Sequence, residues 1–171
     1  MSFRDDRIGA AWRGENPTVL AELSAGFAVI GDVQFLPGYC VLLSKSPSAS
    51  ALAELPRAER VQFLADADLL ATVVERACRA MHPGFRRTNI EVLGNKDAFV
   101  HAHVWARYEW EPPEQVARPV WLYPPERWRA PTTTLSSQHD RLRERIQAEL
   151  DALICKAPIQ ADADGPANRQ R

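Results

Sequence analysis

The stretch FVHAHVWARY, Phe99 to Tyr108, places two of the chain's four histidines one residue apart. Side chains alternate along an extended strand, so Phe99, His101, His103 and Trp105 share one face while Val100, Ala102, Val104 and Ala106 share the other. The small apolar face suits packing under a helix, which leaves the histidine face to line a cleft. A single histidine reads more readily as a hydrogen-bonded core residue than as a functional one, whereas two on one face bring those readings level. Three chemistries suit the pair. His-x-His on a strand chelates zinc or iron, but such metals normally take three or four ligands. Only His82, His139 and scattered carboxylates remain, none at ligand spacing, so neither a metal nor a cofactor is expected. General acid–base catalysis suits an imidazole titrating near neutrality. Nucleophilic catalysis is the third: a neutral imidazole nitrogen attacks phosphorus and divides a hard displacement into two easier ones. Spacing alone does not choose among them.

The elements that would hold this strand follow from periodicity. GFAVIGD (Gly26 to Asp32) and GYCVLLSK (Gly38 to Lys45), separated by the turn-forming FLPG, read as a hairpin. From Leu55 the period changes: Phe63, Ala67, Leu70, Val74, Ala77 and Met81 recur at spacings of three and four, with Pro56 suited to the first turn and HPG ending the run at Gly84. That is one long amphipathic helix. TNIEVLG and FVHAHVWARY then read as an antiparallel pair joined by the short turn GNKD. Prolines crowd Glu111 to Pro131, where missing amide donors and fixed φ argue against regular structure over most of the segment. An ordered loop is expected there, because Trp121, Tyr123 and Trp128 need something to pack on. Ser137 as N-cap, with Leu142, Ile146, Leu150 and Leu153 at helical spacing, predicts a last helix over 137–154. Arg4 to Arg13 is a weaker helix candidate.

A chain of 171 residues, 46% of them hydrophobic, fits one domain with a real core, placed over 1–155 with its centre at 18–123. The tail, 156–171, lacks periodicity and reads as disordered. A net charge of −1 gives no electrostatic reason to expect a nucleic-acid backbone or an anionic membrane as partner. Cys40, Cys78 and Cys155 form an odd set without CxxC spacing, and MSFRDDRIGAAW offers no apolar stretch for a signal peptide. The expectation is a reduced, cytoplasmic protein. No run approaches the roughly 20 apolar residues that span a bilayer.

Several segments, in this order, resemble a known family. VHAHVWARY resembles the active-site strand of the histidine triad (HIT) superfamily, His-φ-His-φ-His-φ-φ with φ apolar, which usually continues into Pro-Arg. GDVQFLPGYCVLLSK resembles the family's ribose-binding strand pair, and NIEVLGNKDAFVHAHVWARY and RPVWLY resemble one subgroup, so the likeness covers roughly Gly26 to Tyr123. It implies an α+β fold, with a five-stranded antiparallel sheet, one long helix across it and a C-terminal helix, usually paired as a homodimer. It also implies hydrolysis or transfer of nucleotidyl groups without a metal. By motif position His103 is expected as the nucleophile and His101 as its orienting partner. Asp32 would accept both ribose hydroxyls, a role its two oxygens suit. Asn95 would donate to a phosphate oxygen. The departures are Trp105 at the third histidine and Ala106 at the proline, leaving Arg107. Branches with glutamine at the third position are transferases, so this loss need not abolish covalent chemistry.

Each residue has a plainer reading. Trp105 reads first as wall packing and second as a surface for a base. Asp32 suits a turn, Asn95 a left-handed turn position, and Lys45 and Arg107 solvated strand ends or phosphate contacts. His82 and His139 read as local caps or solvent-exposed side chains, and the aromatics of WLYPPERW as loop anchors or dimer contacts. No P-loop, Rossmann glycine pattern or Ser-His-Asp arrangement is present. The expectation is a metal-independent nucleotide hydrolase or transferase, with dinucleoside polyphosphates such as diadenosine tetraphosphate foremost as substrates, then nucleoside phosphoramidates. The alternative is a nucleotide-binding module with little turnover.

Overall fold

Along the computed structural model the elements are α1 (Arg7–Trp12), β1 (Val19–Glu22), β2 (Gly26–Ile30), β3 (Cys40–Ser44), α2 (Arg57–Met81), β4 (Phe85–Val92), β5 (His101–Tyr108), α3 (Pro113–Val116), α4 (Pro125–Arg129) and α5 (Asp140–Ile154). Residues 2–94 and 96–155 are described; the expectations for Asn95 and for the tail 156–171 lie outside them. The five strands form one antiparallel sheet in the order β1-β2-β3-β5-β4. Both expected pairs are present: Gly26 faces Ser44 and Ile30 faces Cys40, while Asn89 faces Trp105. β4 starts at Phe85, three residues before the expected Thr88, and β1 completes the five-stranded sheet that the family resemblance implied.

Helix α2 begins after Pro56 and ends at Met81, because His82 precedes Pro83 and is pushed to extended φ and ψ. Its stripe of Phe63, Ala67, Leu70, Val74 and Ala77 is buried against β3, β4 and β5. Asp66 on the same helix is buried yet satisfied, accepting from the Ala25 backbone N–H at 2.6 Å and from Gln62 Nε2 at 2.8 Å. That contact ties the helix to the β1–β2 turn. α5 packs against α2 and β1.

Two local expectations need correction. The prolines of 111–131 open short helical turns instead of preventing them: Pro113 and Pro125 stand at the first positions of α3 and α4, and Pro119 and Pro131 begin 3-10 turns. A fixed φ and a missing N–H cost nothing in a first turn, whose N–H groups have no helical partner. The start of the last helix also differs, with a 3-10 turn over Ser137–His139 preceding α5. The cap moves to Ser136, whose backbone N–H donates to His139 Nδ1 at 3.1 Å.

Gly38, entering β3, has φ +91°, and a Cβ there would lie 2.3 Å from Cys78 Sγ on α2. Gly38→Ala is expected to lose about 2–4 kcal/mol of stability from left-handed strain and overpacking. Urea unfolding checks this, and an unchanged midpoint would show that the turn relaxes freely.

Candidate active site

β5 lies between β3 and β4, so its outward face is the middle of the sheet surface opposite α2. His101 pairs across to Leu43 and His103 to Val41, and all four line a cleft of roughly 750 Å³ together with Asp32 and Trp121. Both imidazoles are nearly buried. His101 Nδ1 lies 2.8 Å from the Phe99 carbonyl oxygen. Only an N–H satisfies a carbonyl, so the partner assigns the proton of neutral His101 to Nδ1 and leaves a lone pair on Nε2. His103 Nδ1 lies 2.7 Å from Tyr39 Oη. The two rings meet edge to face with centroids 4.7 Å apart.

Burial, and secondarily the neighbouring His101, lower the pKa of His103 to about 3. His103 is therefore neutral at physiological pH. Because the unfolded side chain titrates near ~6.5, the unfolded state binds a proton between there and pH about 3 that the folded state refuses. Stability conferred by neutral His103 is thus lost on acidification, by up to about 1.4 kcal/mol per pH unit in that window. Urea unfolding at pH 6.5 and pH 5 should show the wild type losing about 1–2 kcal/mol more than His103→Asn. Equal losses would mean that His103 charges freely in the folded protein.

Asp32 is brought to the cleft, but not as a free carboxylate. Its Oδ2 accepts from Arg7 Nη2 at 2.6 Å and Arg4 Nε at 3.2 Å, and its Oδ1 is buried without a protein partner among the described residues. Arg7, on α1, lines the same cleft.

Trp105 is not available to a base. It is fully buried and stacked on Tyr39 with ring centroids 3.6 Å apart, its Nε1 donates to Glu91 Oε2 at 3.1 Å, and Trp121 and Trp128 cover it edge-on. The wall reading is the one the structure supports. Arg107 likewise points away from phosphate. Buried at 3% exposure, it donates Nε to both Glu111 carboxylate oxygens at 3.0 Å and Nη1 and Nη2 to the carbonyls of Arg118, Gln115 and Val116. All three of its side-chain nitrogens are engaged inside the protein, which corrects both readings made for it, phosphate contact and solvated strand end.

The aromatic segment contributes more than anchoring. Trp121 sits 4.7 Å from the His103 ring in a T-shaped contact and stacks on Trp128, and both line the cleft with Tyr123. Glu111 accepts from the Tyr123 hydroxyl, holding the near end of the segment. The far end is held where Gln34 N–H donates to Thr133 O at 2.6 Å and Leu135 N–H to Asp32 O at 2.9 Å. The segment thus closes the cleft of its own chain, which the sequence reading missed. Lys45 pairs with Glu22 at 2.7 Å outside the cleft; His82 is the C-cap of α2, and buried His139 the cap partner of Ser136. Among the described residues, no group of three or more His, Cys, Asp or Glu side chains is placed to hold a metal.

No family model and no curated protein matches the chain. Solved structures do. A histidine triad protein from Marinobacter aquaeolei superposes with a TM-score of 0.62 at 19% identity, over 79% of this chain and 89% of that one. A zinc-bound histidine triad family protein from Mycobacterium smegmatis gives 0.61 at 16% identity, over 90% and 99%. A hypothetical histidine triad nucleotide-binding protein from Sulfolobus tokodaii gives 0.58 at 12%, over 85% and 91%. At these identities the likeness is one of architecture: a five-stranded antiparallel sheet, a long helix and a C-terminal helix. The chain has the histidine triad fold.

Proposed function

We propose that this protein is a nucleotidyl hydrolase or transferase that cleaves nucleotide phosphates through a covalent nucleotidyl–imidazole intermediate on His101. The observation that carries this reading is the hydrogen bond from His101 Nδ1–H to the Phe99 carbonyl, which turns the Nε2 lone pair free at the bottom of a cleft. The same carbonyl stabilises the positive charge that develops on His101 when Nε2 bonds to phosphorus.

This exchanges the roles expected from the motif, and the motif permits it. Started at Phe99, the pattern His-φ-His-φ-His-φ-φ ends on Val104 and Trp105 and is followed by Ala106 and Arg107 in the place of Pro-Arg. Started at His101, it would put the charged Arg107 on an apolar position and move Pro-Arg to Tyr108 and Glu109. In the first register the missing histidine is Phe99, His101 is the middle one, and Trp105 is an apolar position, as its complete burial suits.

In the proposed reaction, His101 Nε2 attacks the α-phosphorus, the bond to the leaving group breaks with its electron pair, and water then displaces the nucleotidyl group. Asp32 Oδ1 would take a ribose hydroxyl, and Asn95 a phosphate oxygen. The homodimer that the family resemblance implies has a candidate surface in the outer edge of β4, where Ile90 and Val92 are exposed. No described helix is long and apolar enough to cross a membrane. Incubation with diadenosine tetraphosphate, with and without EDTA, should release AMP in both cases and add one adenylyl mass to the intact protein after a rapid denaturing quench. Absence of both product and adduct would contradict the reading.

A second reading, a nucleotide-binding module without turnover, is favoured by one arrangement: Trp121 on His103 and two arginines on Asp32 leave less room for a substrate in motion. It predicts nucleotide affinity that survives His101→Ala, with no product from the wild type.

A further inference from the structure

Tyr39, the residue before β3, has a side chain held on three sides. Its ring stacks on Trp105 with planes 6° apart, and it fills the space beside Gly31, where a Cβ would fall 2.1 Å from the Tyr39 ring. Its Oη lies 2.7 Å from His103 Nδ1, and the residue is only 6% exposed. Two proton arrangements fit that distance. If His103 Nδ1–H donates, the buried phenol proton has no acceptor among the described residues, an arrangement that costs about 1–3 kcal/mol. If the Tyr39 hydroxyl donates, both groups are satisfied and the single proton of neutral His103 sits on Nε2. Burial raises the pKa of the Tyr39 phenol, so it keeps the proton it donates. The neighbouring pair then presents one lone pair, on His101, and one N–H, on His103.

We propose that Tyr39 is a positioning residue that fixes His103 in the tautomer with its proton on Nε2, making His103 a hydrogen-bond donor instead of an acid, so that the site favours leaving groups that depart as anions. The substrate clause rests on the reading of His101 as the nucleophile. When the leaving group is a nucleoside polyphosphate, the P–O electron pair goes to an oxygen already stabilised as an anion, and no proton is needed. When it is an amine, the P–N electron pair must be captured by a proton on nitrogen. His103 has none to give: its Nδ1 is filled by Tyr39, and losing the Nε2 proton would make an imidazolate.

Two measurements on the full chain test this separately. With ¹⁵N-labelled histidine, long-range ¹H–¹⁵N correlation should show wild-type His103 protonated at Nε2 and His101 at Nδ1, with the His103 preference lost in Tyr39→Phe, which keeps the ring and its packing. Adduct formation, compared between diadenosine tetraphosphate and adenosine 5′-phosphoramidate, should favour the first by about 100-fold in the wild type, and Tyr39→Phe should narrow that ratio by about tenfold, because His103 then also populates the tautomer with no Nε2 proton to offer the departing anion. A wild-type His103 protonated at Nδ1 would overturn the proposal. A ratio that ignores Tyr39 while the tautomer changes would overturn its substrate clause. If neither substrate gives an adduct, the function reading fails, and the spectrum still decides the role of Tyr39. Equal urea midpoints for the two proteins would confirm that the variant is folded.

Discussion

His101→Ala is expected to abolish adduct formation and to lower turnover of diadenosine tetraphosphate by about 10⁴-fold or more, because it deletes the nucleophile and with it the covalent route. His103→Ala is expected to cost less, about 10²–10³-fold, as the loss of one preorganised donor to the phosphate or leaving oxygen. Lone pairs distinguish the two histidines. The imidazoles are one residue apart, yet one Nδ1 faces a carbonyl and the other a phenol, and in the neutral rings these partners assign opposite tautomers. A nitrogen that bears a proton is not a nucleophile. Steady-state kinetics of the two variants checks the order of effects, and a larger loss in His103→Ala would restore the assignment that the motif first suggested.

The second large effect concerns stability. Arg107→Met is expected to cost about 3–5 kcal/mol, the range for breaking a buried ion pair and stranding its partner's charge. Glu111 has an exposure of only 3%, and it accepts from Arg107, the Tyr108 backbone N–H and the Tyr123 hydroxyl. Without the guanidinium its carboxylate remains buried and unpaired, while the carbonyls of Gln115, Val116 and Arg118 lose their donor. The segment that seats Trp121 on His103 loosens at its near end. Urea unfolding gives the stability, and Trp fluorescence quenching gives the exposure of Trp121 and Trp128. A loss below about 1 kcal/mol would place the pair among exposed ion pairs of little worth.

Much of this was legible in the sequence wherever the physics is local. Alternation along Phe99–Tyr108 identified a strand with a histidine face, and the three-and-four spacing from Phe63 to Met81 identified α2 nearly to its ends. β1 was not: four residues carry too little pattern, and its place depends on pairing with β2. The turns of 111–131 were read as loop because proline was weighed as a breaker, although at a first helical position it is a starter. Arg107 was read as a solvated strand end or a phosphate contact, and Trp105 first as wall packing and second as a surface for a base, because alternation brings both to the cleft face. What holds them in place is Glu111 for the arginine, four residues on and buried only because the segment after β5 folds back, and Tyr39 for the tryptophan, a tertiary contact with no local signature. The roles of the two histidines were legible in principle, since only the register beginning at Phe99 keeps Arg107 in the place of the motif's arginine. Tyr39 was not, because its partner is 64 residues away.

Which nitrogen carries the nucleotide decides the mechanism. The most direct measurement is to trap the adduct with diadenosine tetraphosphate, digest at a pH that preserves the phosphorus–nitrogen bond, and locate the added adenylyl mass by peptide fragmentation. The predicted result is the mass on His101, absent in His101→Ala and still present, though formed slowly, in His103→Ala. An adduct on His103, or turnover without any histidine adduct, would contradict the central claim.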